Sequence, residues 1–224
     1  MPLVQTRGAA SAQGFGEFAQ AATAVNYIED VFSTYLYTGT GAALTITNNI
    51  DLSTNGGLTW IKGRSGATGH RLTDTARGVT KSLASNSDAA QATETTGLTS
   101  FGTTGFTIGA DADYNTSAAT YASWTFRKQP KFFDIVTYTG DGSVSRQISH
   151  NLGSTPGCIM VKATSNVLEW YVQHRSLAST NSYIVLNDTA AATSGQNWGN
   201  AGGVAPTSTV FTVGDNANAS GYTY

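Results

Sequence analysis

Residues 138–162 of this chain read YTGDGSVSRQISHNLGSTPGCIMVK. An aromatic, β-prone run closes on a Gly-x-Gly turn, a short apolar run follows, then a Ser/Thr/Pro/Gly turn, and the stretch ends in the apolar CIMVK. This punctuation predicts strand, turn, strand, turn and buried strand. Residues 37–62, YTGTGAALTITNNIDLSTNGGLTWIK, run through the same order. Gly39 and Gly41 align with Gly140 and Gly142 at an offset of 101, and Gly57 and Lys62 with Gly157 and Lys162 at an offset of 100. Further on, FTIG from Phe106 returns as FTVG from Phe211, and NTSAATY ending at Tyr121 returns as NASGYTY ending at Tyr224. Landmarks kept in one order over about 90 residues predict internal duplication of a whole domain. The expected fold is all-β: two tandem antiparallel β-sandwich domains, residues 25–128 and 131–224, behind an extended N-terminal arm, residues 1–24.

Within the first unit, Phe32, Tyr35, Leu36 and Tyr37 form a β-prone run that the TGTG turn is expected to close into a hairpin with the strand bearing Leu44 and Ile46. LTWIKG, residues 58–63, is expected to place Leu58 and Trp60 on one face and Thr59 and Ile61 on the other. ASNSDAAQATETTG, residues 84–97, is polar and small and reads as a surface excursion. The first unit closes on FTIG and TYASWTF, but Tyr224 has no counterpart of ASWTF after it. The expectation is that the repeat continues beyond Tyr224 or that a neighbouring chain supplies the strand. RKQPK, residues 127–131, is expected to be a short, stiff spacer, because Pro130 restricts itself and Gln129.

Composition narrows the function. Charged residues are 12% of the chain and the formal net charge is −2, without any basic run, which argues against a nucleic-acid partner. No apolar run approaches the roughly 20 residues of a membrane-spanning helix, so no membrane insertion is expected, and the first residues lack a signal-peptide core. The chain is expected to be soluble and made in a cytoplasm. Cys158 is the single cysteine, which precludes an intramolecular disulfide, and its setting in GCIMVK predicts a buried apolar thiol.

Motifs for chemistry are sparse. His70, His150 and His174 fall in different elements, no spacing suits a metal site, and DADYN at residues 111–115 lacks the glycine and distal glutamate of a calcium loop. His150 is expected to bond turn backbone. No GxSxG elbow occurs, and the 14 acidic residues offer no favoured pair for glycoside cleavage. No enzyme activity, metal or cofactor is expected. Trp60, Trp124 and Trp170 lie in period-2 runs and read as core, whereas Trp198, in the glycine-rich SGQNWGNAGG, is either pinned beneath its loop or offered to a ligand or partner. In the arm, Phe15 and Phe18 stand among small residues and form a candidate assembly contact with another subunit.

The combination of GGLTWIKGRSG, LTDTARG and SWTFRKQPKFFDIVTYTGDG with SHNLGSTPGCIMVK and WYVQHRSL resembles the repeated β domains of tail-fibre-like structural proteins of tailed bacteriophages, notably those of marine and cyanobacterial hosts. TRGAASAQGFGEF resembles the start of such proteins. The resemblance implies a virion component assembled in the host cytoplasm: a homotrimeric tail fibre or tail-associated adhesin segment. Its arm would bind a tail or baseplate protein and its β domains would project toward the host. The alternatives are a carbohydrate-binding module contacting host surface glycan, a capsid-attached fibre, and a glycan-cleaving tailspike.

Overall fold

The computed structural model describes residues 27–224; the expected arm, with Phe15 and Phe18, lies outside the described residues. The described residues are all-β with two single-turn α-helices. In order, the first half comprises β1 (Phe32–Thr38), β2 (Leu44–Thr47), α1 (Leu52–Asn55), β3 (Gly57–Gly63), β4 (His70–Asp74), β5 (Lys81–Ala84), β6 (Ala92–Thr93), β7 (Leu98–Phe101), β8 (Gly105–Ile108), α2 (Ala112–Asn115) and β9 (Thr120–Arg127). The second half comprises β10 (Arg146–Ser149), β11 (Cys158–Val161), β12 (Tyr171–His174), β13 (Ser182–Val185), β14 (Thr193–Ser194) and β15 (Val210–Val213), followed by a 3₁₀ turn over Asp215–Asn218. No helix among the described residues is long and apolar enough to cross a membrane.

Strands β1-β9-β3-β4-β5-β6 form one antiparallel sheet and β2-β8-β7 a second. Alternation along each strand turns one set of side chains between them, where Tyr37, Ile46, Ile61, Leu98, Phe106, Ile108, Tyr114 and Tyr121 form the core. The TGTG turn therefore does not close a hairpin. β1 pairs with β9 and β2 with β8, so the turn carries the chain from one sheet to the other. In the second half β10 pairs with β15, and β11-β12-β13-β14 make a four-stranded sheet. Ile148, Val161, Tyr171, Trp198, Phe211, Val213 and Tyr224 fill the space between them.

Each sheet-to-sheet turn is held by the same knot. In the first half Tyr37 stacks on Tyr121 at 5.1 Å between ring centroids and 11° between planes. In the second, Tyr138 stacks on Tyr224 at 4.9 Å and 12°. Asn115 Oδ1 accepts from Thr40 N at 2.7 Å while its Nδ2 donates to Gly109 O at 2.8 Å and to Ala42 O. Asn218 Oδ1 accepts from Asp141 N at 3.3 Å while its Nδ2 donates to Ser143 O at 2.8 Å. Gly39 and Gly140 pass so close to the facing strand that a Cβ would lie 2.2 Å from Thr116 O and 2.1 Å from Ala219 O, so neither position admits a side chain.

A third apolar cluster joins the halves. Leu58, Leu72 and Leu83, on the outer face of the six-stranded sheet, are buried with Trp170 of the second half, and Phe133, Ile135 and Leu186 pack around them. Trp170 Nε1 donates to Ala84 O at 2.9 Å and Ser87 O at 3.2 Å. Gln91 N donates to Thr164 O at 2.8 Å, and Leu168 N to Asp88 O at 2.9 Å. The expected surface excursion at residues 84–97 is thus largely a docking edge. The expected spacer at residues 127–131 is a reverse turn, in which Gln129 N bonds Phe133 O at 2.9 Å and Phe133 N bonds Gln129 O at 3.1 Å. It folds the second half back against the first instead of setting the halves end to end.

Candidate functional site

A shallow hollow of about 340 Å³ opens where the two halves meet, lined by Trp60, His70, Ser85, Asn86, Leu186, Asn187, Asp188 and Thr189. β3 supplies Trp60 and β4 supplies His70, and the loop after β13 brings residues 186–189 over from the second half. Trp60 is half-buried, its indole edge-on to Trp124 at 6.2 Å. Trp60 Nε1 donates to His70 Nδ1 at 3.3 Å, which fixes the imidazole ring and leaves Nε2 as the protonated nitrogen of the neutral form. Burial, and then the nearby Lys62 charge, lower the His70 pKa, so the ring is neutral at neutral pH.

The amides around it are partly committed. Asn86 Oδ1 accepts His70 N at 2.9 Å, and Asn187 Oδ1 accepts Trp170 N at 3.0 Å while its Nδ2 bonds Glu169. Asn86 Nδ2 has no protein partner among the described residues, and the exposed Asp188 and Thr189 side chains stand at the rim. An indole beside a free amide, a carboxylate and a hydroxyl suits a polyhydroxylated ligand, which offers apolar C–H faces to the ring and hydroxyls to the rim.

The stronger charge clusters elsewhere are spent on structure. Arg71 lies between Glu94, at 2.9 Å, and Asp113, whose Oδ2 is 2.8 Å from Arg71 Nε, and Tyr114 OH donates to Glu94 at 2.8 Å. These bonds fasten β4 to α2. Arg77 Nε contacts Asp74 Oδ2 at 2.6 Å, while Asp74 Oδ1 accepts the N–H of Ala76 and Arg77. That closes the turn after β4. Among the described residues no three His, Cys, Asp or Glu side chains gather as metal ligands would.

Of the residues singled out in the sequence, Trp60 and His70 line the hollow and the others lie elsewhere. Trp198 is 2% exposed and belongs to the second core, so of its two readings the structure shows the pinned one. Its place matches that of Leu98 in the first half: Gly109 N donates to Gly97 O at 2.8 Å, and Gly214 N to Asn197 O at 3.1 Å. Its Nε1 is buried without a partner. Trp170 is core, as expected, whereas Trp60 and Trp124 are only half-buried. His150 does bond turn backbone, its Nδ1 accepting Leu152 N at 3.3 Å. Cys158, expected to be buried, is exposed. The hollow itself carries no linear signature, because residues 60, 70, 86 and 186–189 meet only through the packing of the halves.

A family model, described as a domain of unknown function, DUF7483, matches residues 28–224. The chain belongs to the DUF7483 family. The match runs through both halves, so the DUF7483 domain includes the seam and the hollow built on it. Comparison with curated proteins and with solved structures finds no match.

Proposed function

We propose that this DUF7483 chain is a non-catalytic structural component of a tailed-phage virion, a tail fibre or tail-associated adhesin segment assembled in the host cytoplasm. In this reading its two halves descend from one duplicated unit. The residues before 25 bind a tail or baseplate protein, three chains associate, and the β halves face the host. The observation that supports a scaffold is the seam. Interfaces between domains of one chain are mobile by default, whereas this one buries Leu58, Leu72, Leu83 and Trp170. Full burial of a large apolar side chain is worth about 1.5–3 kcal/mol, and the share of it that the seam provides at these four favours docking of the halves. Such a seam resists hinging between the halves, which suits a part that transmits position. The sequence resemblance supplies the virion setting. Deleting residues 1–24 in an infecting phage tests it: particles should assemble without this protein, as seen by labelled electron microscopy, and normal incorporation would refute the arm as the attachment device.

The Trp60–His70 hollow favours a second reading, contact with host surface glycan. A glycan array should then show binding that Asp188→Ala and Thr189→Ala reduce. Binding unchanged in both variants would remove the hollow from consideration.

A further inference from the structure

β11 has a neighbour on one side only, β12, although β3, the strand in the same setting in the first half, lies between β4 and β9. The settings match bond for bond. Gly57 O accepts Thr75 N and Gly157 O accepts Arg175 N, each at 3.0 Å. Arg64 N donates to Thr120 O, and Thr164 N to Thr223 O, each at 2.7 Å. On the other flank, Tyr138 and Tyr224 exchange N–H···O bonds of 3.3 and 2.9 Å, matching the Tyr37–Tyr121 pair of β1 and β9. β9 continues from Tyr121 to Arg127 between β1 and β3. The corresponding space beside β11 is part of a cleft of about 240 Å³, lined by Val136, His150, Cys158 and Met160 of the second half and, across the seam, by Leu58 and Leu72 of the first.

Three features mark the cleft as a seat for a strand. First, the alternation of an antiparallel ladder directs the backbone groups of Cys158, Met160 and Lys162 into the cleft from one side and those of Val136 from the other. Among the described residues these groups find no backbone partner there. Second, two side chains beside the cleft are uncovered: Met160 is 42% exposed and Cys158 is exposed, whereas Leu58, at the Cys158 position of the first half, is 8% exposed. Third, His150 is 8% exposed and its Nε2 is buried without a partner. Its counterpart is Asn48: Asn48 N donates to Thr104 O at 3.0 Å, and His150 N to Thr209 O at 2.9 Å. Asn48 Nδ2 donates at 2.8 Å to Thr125 Oγ1, a side chain of β9 itself. With Nδ1 accepting Leu152 N, neutral His150 carries its proton on Nε2, and that donor lines the cleft where a β9-like strand would offer an acceptor.

We propose that this cleft accepts an antiparallel β-strand running on from Tyr224, of the chemistry of β9. Small hydroxyl residues face inward, the second of them accepting from His150 Nε2, and bulky apolar residues face outward over Met160. The placement of Tyr224 commits the occupant to a strand in continuity with this chain, because Tyr224 already holds the register and direction of the first β9 residues. The inference is independent of the virion reading.

Cys158, the single cysteine, is the probe. Residues 1–224 are compared with the same chain extended after Tyr224 by Ala-Ser-Trp-Thr-Phe-Arg, the residues that follow Tyr121, and with an extension carrying proline in place of its serine and threonine. The β9-like extension should slow alkylation of Cys158 by an uncharged maleimide at least about tenfold and protect the Met160, Lys162 and Val136 amides from exchange, while the proline extension leaves both fast. Replacing only the extension's threonine by valine should cost about tenfold of that protection, through the orphaned His150 donor. Equal alkylation in all three chains would overturn the proposal. So would a protected Cys158 in the unextended chain together with dimerisation by light scattering, since the occupant would then be a second copy.

Discussion

Asn115 is fully buried, and its side chain ties three backbone groups: Thr40 N–H at 2.7 Å, Gly109 O at 2.8 Å and Ala42 O. Asn115→Ala removes all three bonds at once. Thr40 and Ala42 are exposed, so water can replace part of what they lose, whereas the half-buried Gly109 carbonyl is less accessible. At about 1 kcal/mol for each lost bond, the substitution should cost about 3 kcal/mol. Asn218 Oδ1 accepts from Asp141 N at 3.3 Å and its Nδ2 donates to Ser143 O at 2.8 Å and to Asp141 Oδ1 at 2.6 Å, but both partner residues are exposed, so water replaces more of what is lost. Asn218→Ala should therefore cost less, about 2 kcal/mol. In urea, with a slope of about 2 kcal/mol per molar, tryptophan fluorescence should show the midpoint falling by about 1.5 M and about 1 M respectively. Asn115→Asp separates the bonds from the bulk of the side chain. A carboxylate facing the Gly109 and Ala42 carbonyls has its folded-state pKa raised, so the variant should be least stable at neutral pH and recover as pH falls and the carboxyl regains a proton to donate. A midpoint shift below about 0.5 M in both alanine variants would refute the view that the knot anchors each turn.

Gly39→Ala and Gly140→Ala should each destabilise by more than about 2 kcal/mol in the same assay, because the added Cβ would meet backbone oxygen at 2.2 and 2.1 Å; tolerance of either would contradict the close approach. Trp198→Ala should cost about 3–5 kcal/mol as a core truncation. Trp198→Leu should cost less, since Leu98 fills the matching place and the unpartnered Nε1 is removed; equal losses would show that the pocket cannot relax around leucine. Stability should also turn over with pH. Burial brings the Lys162 pKa down to about 8, against opposing attraction from Asp88 and Glu169, so the native state binds fewer protons than the unfolded chain above that value and stability rises with pH from about 8 toward 10. Above the ordinary tyrosine value the sign reverses, because burial raises the Tyr37, Tyr114 and Tyr138 pKa values and holds their protons while the unfolded chain ionises. Urea midpoints measured from pH 7 to 11 should peak near 10, and Lys162→Met should flatten the rising limb; a steady fall from pH 7 in the parent chain would contradict this.

What sequence reading reached follows the range of the forces involved. Gly39, Gly41, Gly140 and Gly142 announce turns because the constraint on them is local, and the alternation in LTWIKG assigns faces correctly because β3 pairs with β4 and β9 without a break in register. Pairing is not local. β1 looked like half of a hairpin with β2, yet its partner β9 lies more than 80 residues away, and the choice rests on the Gly39 approach to Thr116 and the Tyr37–Tyr121 stack. Cys158 was misjudged for a related reason: GCIMVK is as apolar as LTWIK, but burial of that strand depends on a neighbour on both sides, and β11 has one. Trp198 sits in a run without period, so only the matching place of Leu98 resolves it.

The two halves also differ in an ordered way. Residues of the knot are identical in the two halves: Gly39 and Gly140, Tyr37 and Tyr138, Tyr121 and Tyr224, Asn115 and Asn218. Each answers a backbone problem, a sheet-to-sheet crossing whose N–H and C=O groups need fixed partners, and few side chains solve it. Residues at the seam differ, because there the halves play opposite parts. Leu58 and Trp60 correspond to Cys158 and Met160; Leu58 is buried and Trp60 half-buried, whereas Cys158 and Met160 are both exposed. His70 and Trp170 begin matching strand runs, with Asn86 and Asn187 capping their N–H groups at 2.9 and 3.0 Å. Trp170 reaches across to Ala84 and Ser87, while His70 stays back against Trp60 and leaves the hollow open. Matching strand settings thus carry a plug in the second half and a socket in the first. The hollow is the part of that socket which the plug does not fill.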